Sequence, residues 1–195
     1  LIELFGLPPQ SACGFVTCAT TANFSALAAA RHALLARQGW DVEAQGLFGA
    51  PPLTVVVGGE VHSSMQKALA MIGFGRERVI TVPVDSQGRM LVNELPALDD
   101  RTIVCVQAGN VNTGCFDPIA EICERAHAHD AWVHVDGAFG LWAAAAPSLV
   151  QLAAGIGAAD SWATDAHKWL NVPYDSGLAF VRDPIHSVFF VVQFQ

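Results

Sequence analysis

A chain of 195 residues in which 52% are hydrophobic and only 14% charged holds ample material for a buried core, and is unusually apolar for a globular domain. The formal net charge of −8, with no Lys/Arg cluster to offset it, argues against a nucleic-acid binder, and no apolar run approaches the roughly eighteen residues of a membrane span. Leu1-Ile2-Glu3-Leu4-Phe5 carries neither an initiator Met nor the basic start of a signal peptide, so the expectation is a piece of a longer cytoplasmic protein. Part of its apolar surface is then covered by segments or subunits outside these residues.

Helical and strand patterns alternate along the chain. Residues 22–38 are Ala- and Leu-rich and closed by Gly39, which predicts a helix. A short β-branched run over 53–57 ends at Gly58-Gly59 and reads as a strand. Residues 63–72 read as a helix, 79–82 as a strand, and 92–98 as a short helix despite Pro96. Residues 102–107 form a continuous apolar strand, and 118–129 a helix with Asp117 as its N-cap and Pro118 in its first turn. Strands follow over 131–135, 161–164 and 177–181, while the tail 185–195 has no assignment. Continuous apolar strands between helices indicate an α/β fold: a mostly parallel sheet with helices on both faces, over residues 1–184.

Ligands of such sheets bind beyond the carboxyl ends of the strands. The informative polar residues concentrate there, at 107–110, 136–138 and 165–168. Lys168 follows a histidine in Asp165-Ala166-His167-Lys168-Trp169-Leu170, and a lysine can form a Schiff base to an aldehyde cofactor. Its neighbours Trp169, Leu170 and Val172 are apolar, and desolvation favours a neutral, nucleophilic amine. Asp136 closes an apolar β-run in His134-Val135-Asp136-Gly137-Ala138, where a carboxylate can hold a pyridinium nitrogen. Pyridoxal phosphate needs both groups, because its ring is an electron sink only while that nitrogen is protonated.

Weaker signals agree with this pair. Thr17-Cys18-Ala19-Thr20-Thr21 opens the first long helix, where backbone N–H groups and a hydroxyl can reach a phosphate, although ordinary capping accounts equally for hydroxyl residues there. His62 before the second helix can stack on a flat ring or simply start the helix. Ala138 is small enough for a ring to lie against it. Asn110 can bond a cofactor oxygen or only shape a Gly-Asn turn. The cysteines Cys13, Cys18, Cys105, Cys115 and Cys123 form no C-x-x-C pair and read as reduced thiols. No metal site is expected, since His127 and His129 lie two apart near a helix end and do not share a face.

The chain resembles the large-domain portion of the group II pyridoxal-phosphate-dependent amino-acid decarboxylases, of the aromatic-L-amino-acid, glutamate and histidine decarboxylase type. The stretches that carry the resemblance are 17–31, His62-Ser63-Ser64, 109–118, 134–140 and 165–177, in the family's order, and the last is the most specific. The resemblance implies an aspartate-aminotransferase-type (fold type I) large domain. It assigns Ala19 and Thr20 to the phosphate, His62 to one ring face and Ala138 to the other, and Asn110 to the neighbourhood of the phenolic oxygen. Asp136 falls to the ring nitrogen, Lys168 to the covalent link, and His167 to the border of the site. Asp165 stands where relatives often carry asparagine, which puts direct contact of that side chain with the phosphate in doubt.

The resemblance further implies decarboxylation of an L-amino acid to the amine and CO₂ by a homodimer. Tryptophan after Lys168 leans towards aromatic over glutamate-type substrates. The family's N-terminal segment, small C-terminal domain and mobile-loop tyrosine are not recognisable; Tyr174, the only tyrosine, belongs to the lysine motif. Two other readings remain: a different fold-type-I enzyme of the same cofactor (aminotransferase, aldol-type lyase or decarboxylating aldehyde synthase), and a non-catalytic truncated homologue.

Overall fold

The computed structural model describes residues 1–186, so most of the tail 185–195 lies outside the described residues. Seven strands form one sheet: β1 (Ala12–Val16), β2 (Thr54–Gly58), β3 (Ile80–Val82), β4 (Thr102–Gln107), β5 (Trp132–Asp136), β6 (Ser161–Asp165) and β7 (Gly177–Val181). Their order is β1-β7-β6-β5-β4-β2-β3. The β2–β3, β2–β4, β4–β5 and β5–β6 pairs are parallel, whereas β7 runs antiparallel to both β6 and β1. Five helices accompany them: α1 (Ala19–Arg37), α2 (Val42–Gln45), α3 (Ser63–Met71), α4 (Ile119–His127) and the single turn α5 (Ala166–Trp169).

Both faces of the inner strands are dry, which is why β2, β4 and β7 read as nearly continuous apolar runs. Alternate residues divide between two cores. Val55, Val57, Ile103, Cys105 and Trp132 face α1 and α3 through Leu27, Ala30, Leu34, Met65 and Leu69. Val56, Val104, Val106, Val133 and Val135 face the other way, onto Ile119, Ile122 and Ala126 of α4 and onto Leu141 and Trp142. This period-two division fixes the register, because a one-residue slip would exchange the faces of every side chain.

Four local expectations change. α1 begins three residues earlier than expected, and its first N–H is capped from outside: Ala19 N donates to Asp165 Oδ1 at 2.6 Å, while Cys18 supplies no side-chain cap. β1 was not anticipated; it is an edge strand whose Phe15 is 78% exposed, so it lacks the apolar continuity of the inner strands. The helix expected over 92–98 is a 3₁₀ turn of three residues, Val92–Glu94, since Pro96 has no N–H to continue it. Asp117 does not cap α4. Its carboxylate accepts instead from Met90 N (2.7 Å) and Gln107 N (2.6 Å), tying β4 to the loop before 92.

Asp117 therefore serves two buried backbone donors with two oxygens. Asp117→Asn leaves one N–H facing an amide NH₂ and should cost about 1–3 kcal/mol. A denaturant midpoint that does not move would show that the two loops hold without it.

Candidate functional site

Parallel pairing brings the carboxyl ends of the strands to one edge. Gln107 lies opposite Asp136 in the β4–β5 register, and Asp165 lies opposite Gly177 where β6 meets β7. The chain leaves β6 directly into α5, so Lys168 sits three residues past Asp165 at that edge. Val16, at the end of β1, also faces Gly177, which brings the start of α1 to the same place. Gly177 has no room for a side chain: an added Cβ would stand 2.6 Å from the carbonyl carbon of Cys18. That absence lets β7 approach the α1 entry closely.

One cleft is lined by His62, Gln107, Gly109, Val111, Asp136, Ala138, Phe139 and Lys168. It adjoins an apolar hollow of about 350 Å³ that shares Gly109, Val111 and Phe139 with it and is walled further by Phe116, Trp142 and Trp169. Lys168 Nζ pairs with Asp165 Oδ2 at 2.9 Å and lies 4.1 Å over the Phe139 ring. Trp169 and Leu170 are exposed, so they do not wrap the amine as their apolar character suggested; Asp165 and Phe139 surround it instead.

Asp136 is 7% exposed. Burial raises its pKa above the ordinary carboxylate value; the Ala138 N–H, the Asn23 amide and the charges of His62 and Lys168 act in the opposite direction. Ala138 N donates to Oδ1 at 3.2 Å, and Asn23 Nδ2 donates to Oδ2 at 3.2 Å.

The other expected site residues divide into two groups. Ala19 presents its backbone N–H to Asp165, and Thr20 lies beside it in the first turn of α1. His62 is exposed at the N-cap of α3, where Nδ1 accepts from Ser64 N at 3.2 Å; it is both a helix start and a wall of the cleft. His167 lies behind Lys168, its Nδ1 accepting from Ser176 N at 3.1 Å and its ring against Tyr174. Asn110 stands apart. Its Oδ1 accepts from Asn112 N and Thr113 N, so the amide closes its own turn and lines the apolar hollow rather than the Lys168 cleft.

Three residues were missed: Asn23, His134 and Ser161. Asn23 is fully buried in the otherwise Ala/Leu face of α1, and that lone polar residue was the available signal. His134 Nε2 lies 2.9 Å from Asn23 Oδ1, and His134 Nδ1 lies 2.9 Å from Ser161 Oγ.

The pyridoxal-dependent decarboxylase conserved domain matches residues 1–191. The chain belongs to this family. It is 30% identical over 191 residues to the aromatic-L-amino-acid decarboxylase of Bacillus atrophaeus, covering 94% of this chain and 38% of that protein. It is 34% identical over 188 residues to the aspartate 1-decarboxylase of Aliivibrio fischeri, covering 87% of this chain and 34% of that one. Among solved structures, the glutamate decarboxylase domain of a diaminobutyrate-pyruvate transaminase and L-2,4-diaminobutyrate decarboxylase from Vibrio parahaemolyticus superposes with a TM-score of 0.86 at 25% identity, covering 97% of this chain and 43% of that one. The chain thus spans between 28% and 38% of the length of the curated relatives it matches.

The residues present fit the family's cofactor, pyridoxal phosphate. An amine, a buried carboxylate and the small Ala138 line one cleft, and the start of α1 is tied to the partner of Lys168 through Ala19 N and Asp165. The departure is Asp165, whose carboxylate already holds the N–H of Ala19, a residue expected to serve the phosphate. Asp165→Asn in the full-length protein removes that like charge, and cofactor should bind about two- to five-fold more tightly in a titration followed by absorbance. Weaker binding would show that the carboxylate matters more for placing Lys168 than for repelling phosphate.

Proposed function

We propose that the protein to which this chain belongs decarboxylates an L-amino acid to the amine and CO₂, with pyridoxal phosphate held by Lys168 and Asp136. The presence of both side chains on one cleft at the strand carboxyl ends carries this reading. When bound, the cofactor supplies an electron sink for the carbanion left by CO₂. The chain's own residues prepare that sink. The Asp136 carboxylate holds a proton on the ring nitrogen, and is itself fixed by the Ala138 N–H and the Asn23 amide. His62 and Ala138 both line the cleft, and they are assigned to the two faces of the ring. Lys168 is the covalent attachment point and must yield to the substrate amine; its ion pair with Asp165 gives the released ammonium a place to rest.

Ala19 and Thr20 are assigned to the phosphate, with Asp165 and His167 supporting Lys168. Asn110 is assigned a looser role at the mouth, since its amide is engaged in its own turn. The apolar hollow beside Lys168 fits an apolar or aromatic substrate side chain, as its walls are Phe116, Phe139, Trp142 and Trp169. We further propose a homodimer and a cytoplasmic setting. Trp169, Leu170, Tyr174 and Leu152 present apolar surface near the cleft, and the five cysteines carry no disulfide. Among the described residues no helix is long and apolar enough to cross a membrane.

Two measurements on the full-length protein test the core of this reading. Lys168→Ala should abolish the visible absorption band of the bound cofactor, and an unchanged band would remove the attachment site. Asp136→Asn should keep much of the cofactor and lose turnover by about 10²–10³-fold. Wild-type turnover in that variant would make Asp136 structural only.

A further inference from the structure

Behind Asp136 lies a continuous chain of buried hydrogen bonds that the proposed chemistry does not itself use. Trp132 Nε1 donates to Ser161 Oγ at 2.9 Å, and Ser161 Oγ lies 2.9 Å from His134 Nδ1. His134 Nε2 lies 2.9 Å from Asn23 Oδ1, and Asn23 Nδ2 donates to Asp136 Oδ2 at 3.2 Å. Ser161, His134 and Asn23 are fully buried, Trp132 is 3% exposed and Asp136 7%. The chain joins three elements, β5, β6 and α1, and runs from the start of β5 to its end.

The direction of the protons follows from the chemistry of the members. An indole N–H can only donate, and an ionised carboxylate can only accept. The carbonyl oxygen of Asn23 can only accept, so His134 Nε2 must carry the proton in that bond. Burial pushes the His134 pKa down to about 3, so the ring is neutral and holds a single proton. Nδ1 is then bare, and the Ser161 hydroxyl donates to it while accepting from Trp132. Every donor points towards Asp136 and every member is used.

The opposite polarity fails at its far end. It requires a proton on Asp136, a rotated Asn23 amide and an N–H on His134 Nδ1. Ser161 Oγ then receives protons from both Trp132 and His134, and its own hydroxyl proton loses the partner it had. A buried hydroxyl without an acceptor is costly.

We propose that Asn23, His134, Ser161 and Trp132 are positioning residues that hold Asp136 in its ionised form, and thereby keep the cofactor's ring nitrogen protonated. Burial alone works the other way at Asp136, so the polarity of the chain opposes it together with the charge of Lys168. His134 reaches the cofactor only through Asn23 and Asp136. Its neutrality is functional, because a charged imidazole would no longer define which nitrogen donates.

The proposal rests on the assignment of Asp136 to the ring nitrogen, and ¹⁵N NMR of the full-length holoenzyme loaded with ¹⁵N-ring-labelled pyridoxal phosphate separates the two. A wild-type resonance at the unprotonated position overturns the assignment itself. With a protonated wild type, Asn23→Leu should move the resonance towards the unprotonated position and lower kcat roughly tenfold at little cost in KM. His134→Phe keeps the Asn23 amide but removes the donor that orients it, and should lie between wild type and Asn23→Leu. A ring nitrogen as fully protonated in Asn23→Leu as in wild type overturns the positioning role. If that variant retains no cofactor, the same result in His134→Phe overturns it.

Discussion

A carboxylate kept almost wholly out of water at the end of β5 is the constraint on which the cleft depends. An ionised group of that kind is strongly disfavoured in an apolar interior unless donors and opposite charge compensate it. The surroundings of Asp136 supply both. Two N–H groups, from Ala138 and Asn23, take up its two oxygens, and Lys168 brings positive charge from α5. Asp136 also lines the cleft, where the proposed cationic ring nitrogen would complete the set. Position in the sheet makes this possible, since parallel pairing brings the ends of β4, β5 and β6 together and leaves Asp136 at the floor of the opening.

Much of this was legible in the sequence because it depends on period and punctuation. The strands at 102–107 and 177–181 are buried on both faces and so read as nearly continuous apolar runs, and their positions follow directly. Asp136 was legible as a charged residue at the end of an apolar run, and Lys168 as the lysine that follows a histidine just beyond a strand. What stayed hidden depends on contacts distant in sequence. β1 contains Gly14 and an exposed Phe15, and becomes a strand only by pairing with β7 more than 160 residues later. Asp117 looked like a helix cap because local pattern cannot show that Met90 N lies within its reach. Asn23 and His134 are 111 residues apart, and only their shared burial shows that an Asn in an alanine face and a His in a valine strand form a pair.

Asp165 shows how one side chain can serve fold and site together. Its two oxygens face different ways, one to the first N–H of α1 and the other to Lys168. The first contact replaces the side-chain cap that Cys18 does not provide and settles the helix N-terminus in a favourable field. The second contact fixes where the amine rests. Asparagine at this position could accept from Ala19 equally well, but could not neutralise the ammonium. The acid therefore favours a well-placed Lys168 at the expense of electrostatic room for phosphate, and the balance between these two effects belongs to this chain rather than to the fold.

The two ends of the site are coupled through α1. Ala19 and Asn23 are four residues apart and therefore lie on the same helix face, one turn from each other. Ala19 is bonded to β6 through Asp165, and Asn23 to β5 through His134 and Asp136. α1 packs across β5, β6 and β7 through small residues, with Ala22 against Ala163 and Ala179. Such close backbone approach leaves little freedom to slide, because any shift that opens one contact must open the other. The alanine content that first marked this segment as a helix thus also sets its distance from the sheet. That distance places the Ala19 N–H beside Asp165 and the Asn23 amide beside Asp136 in a single rigid step.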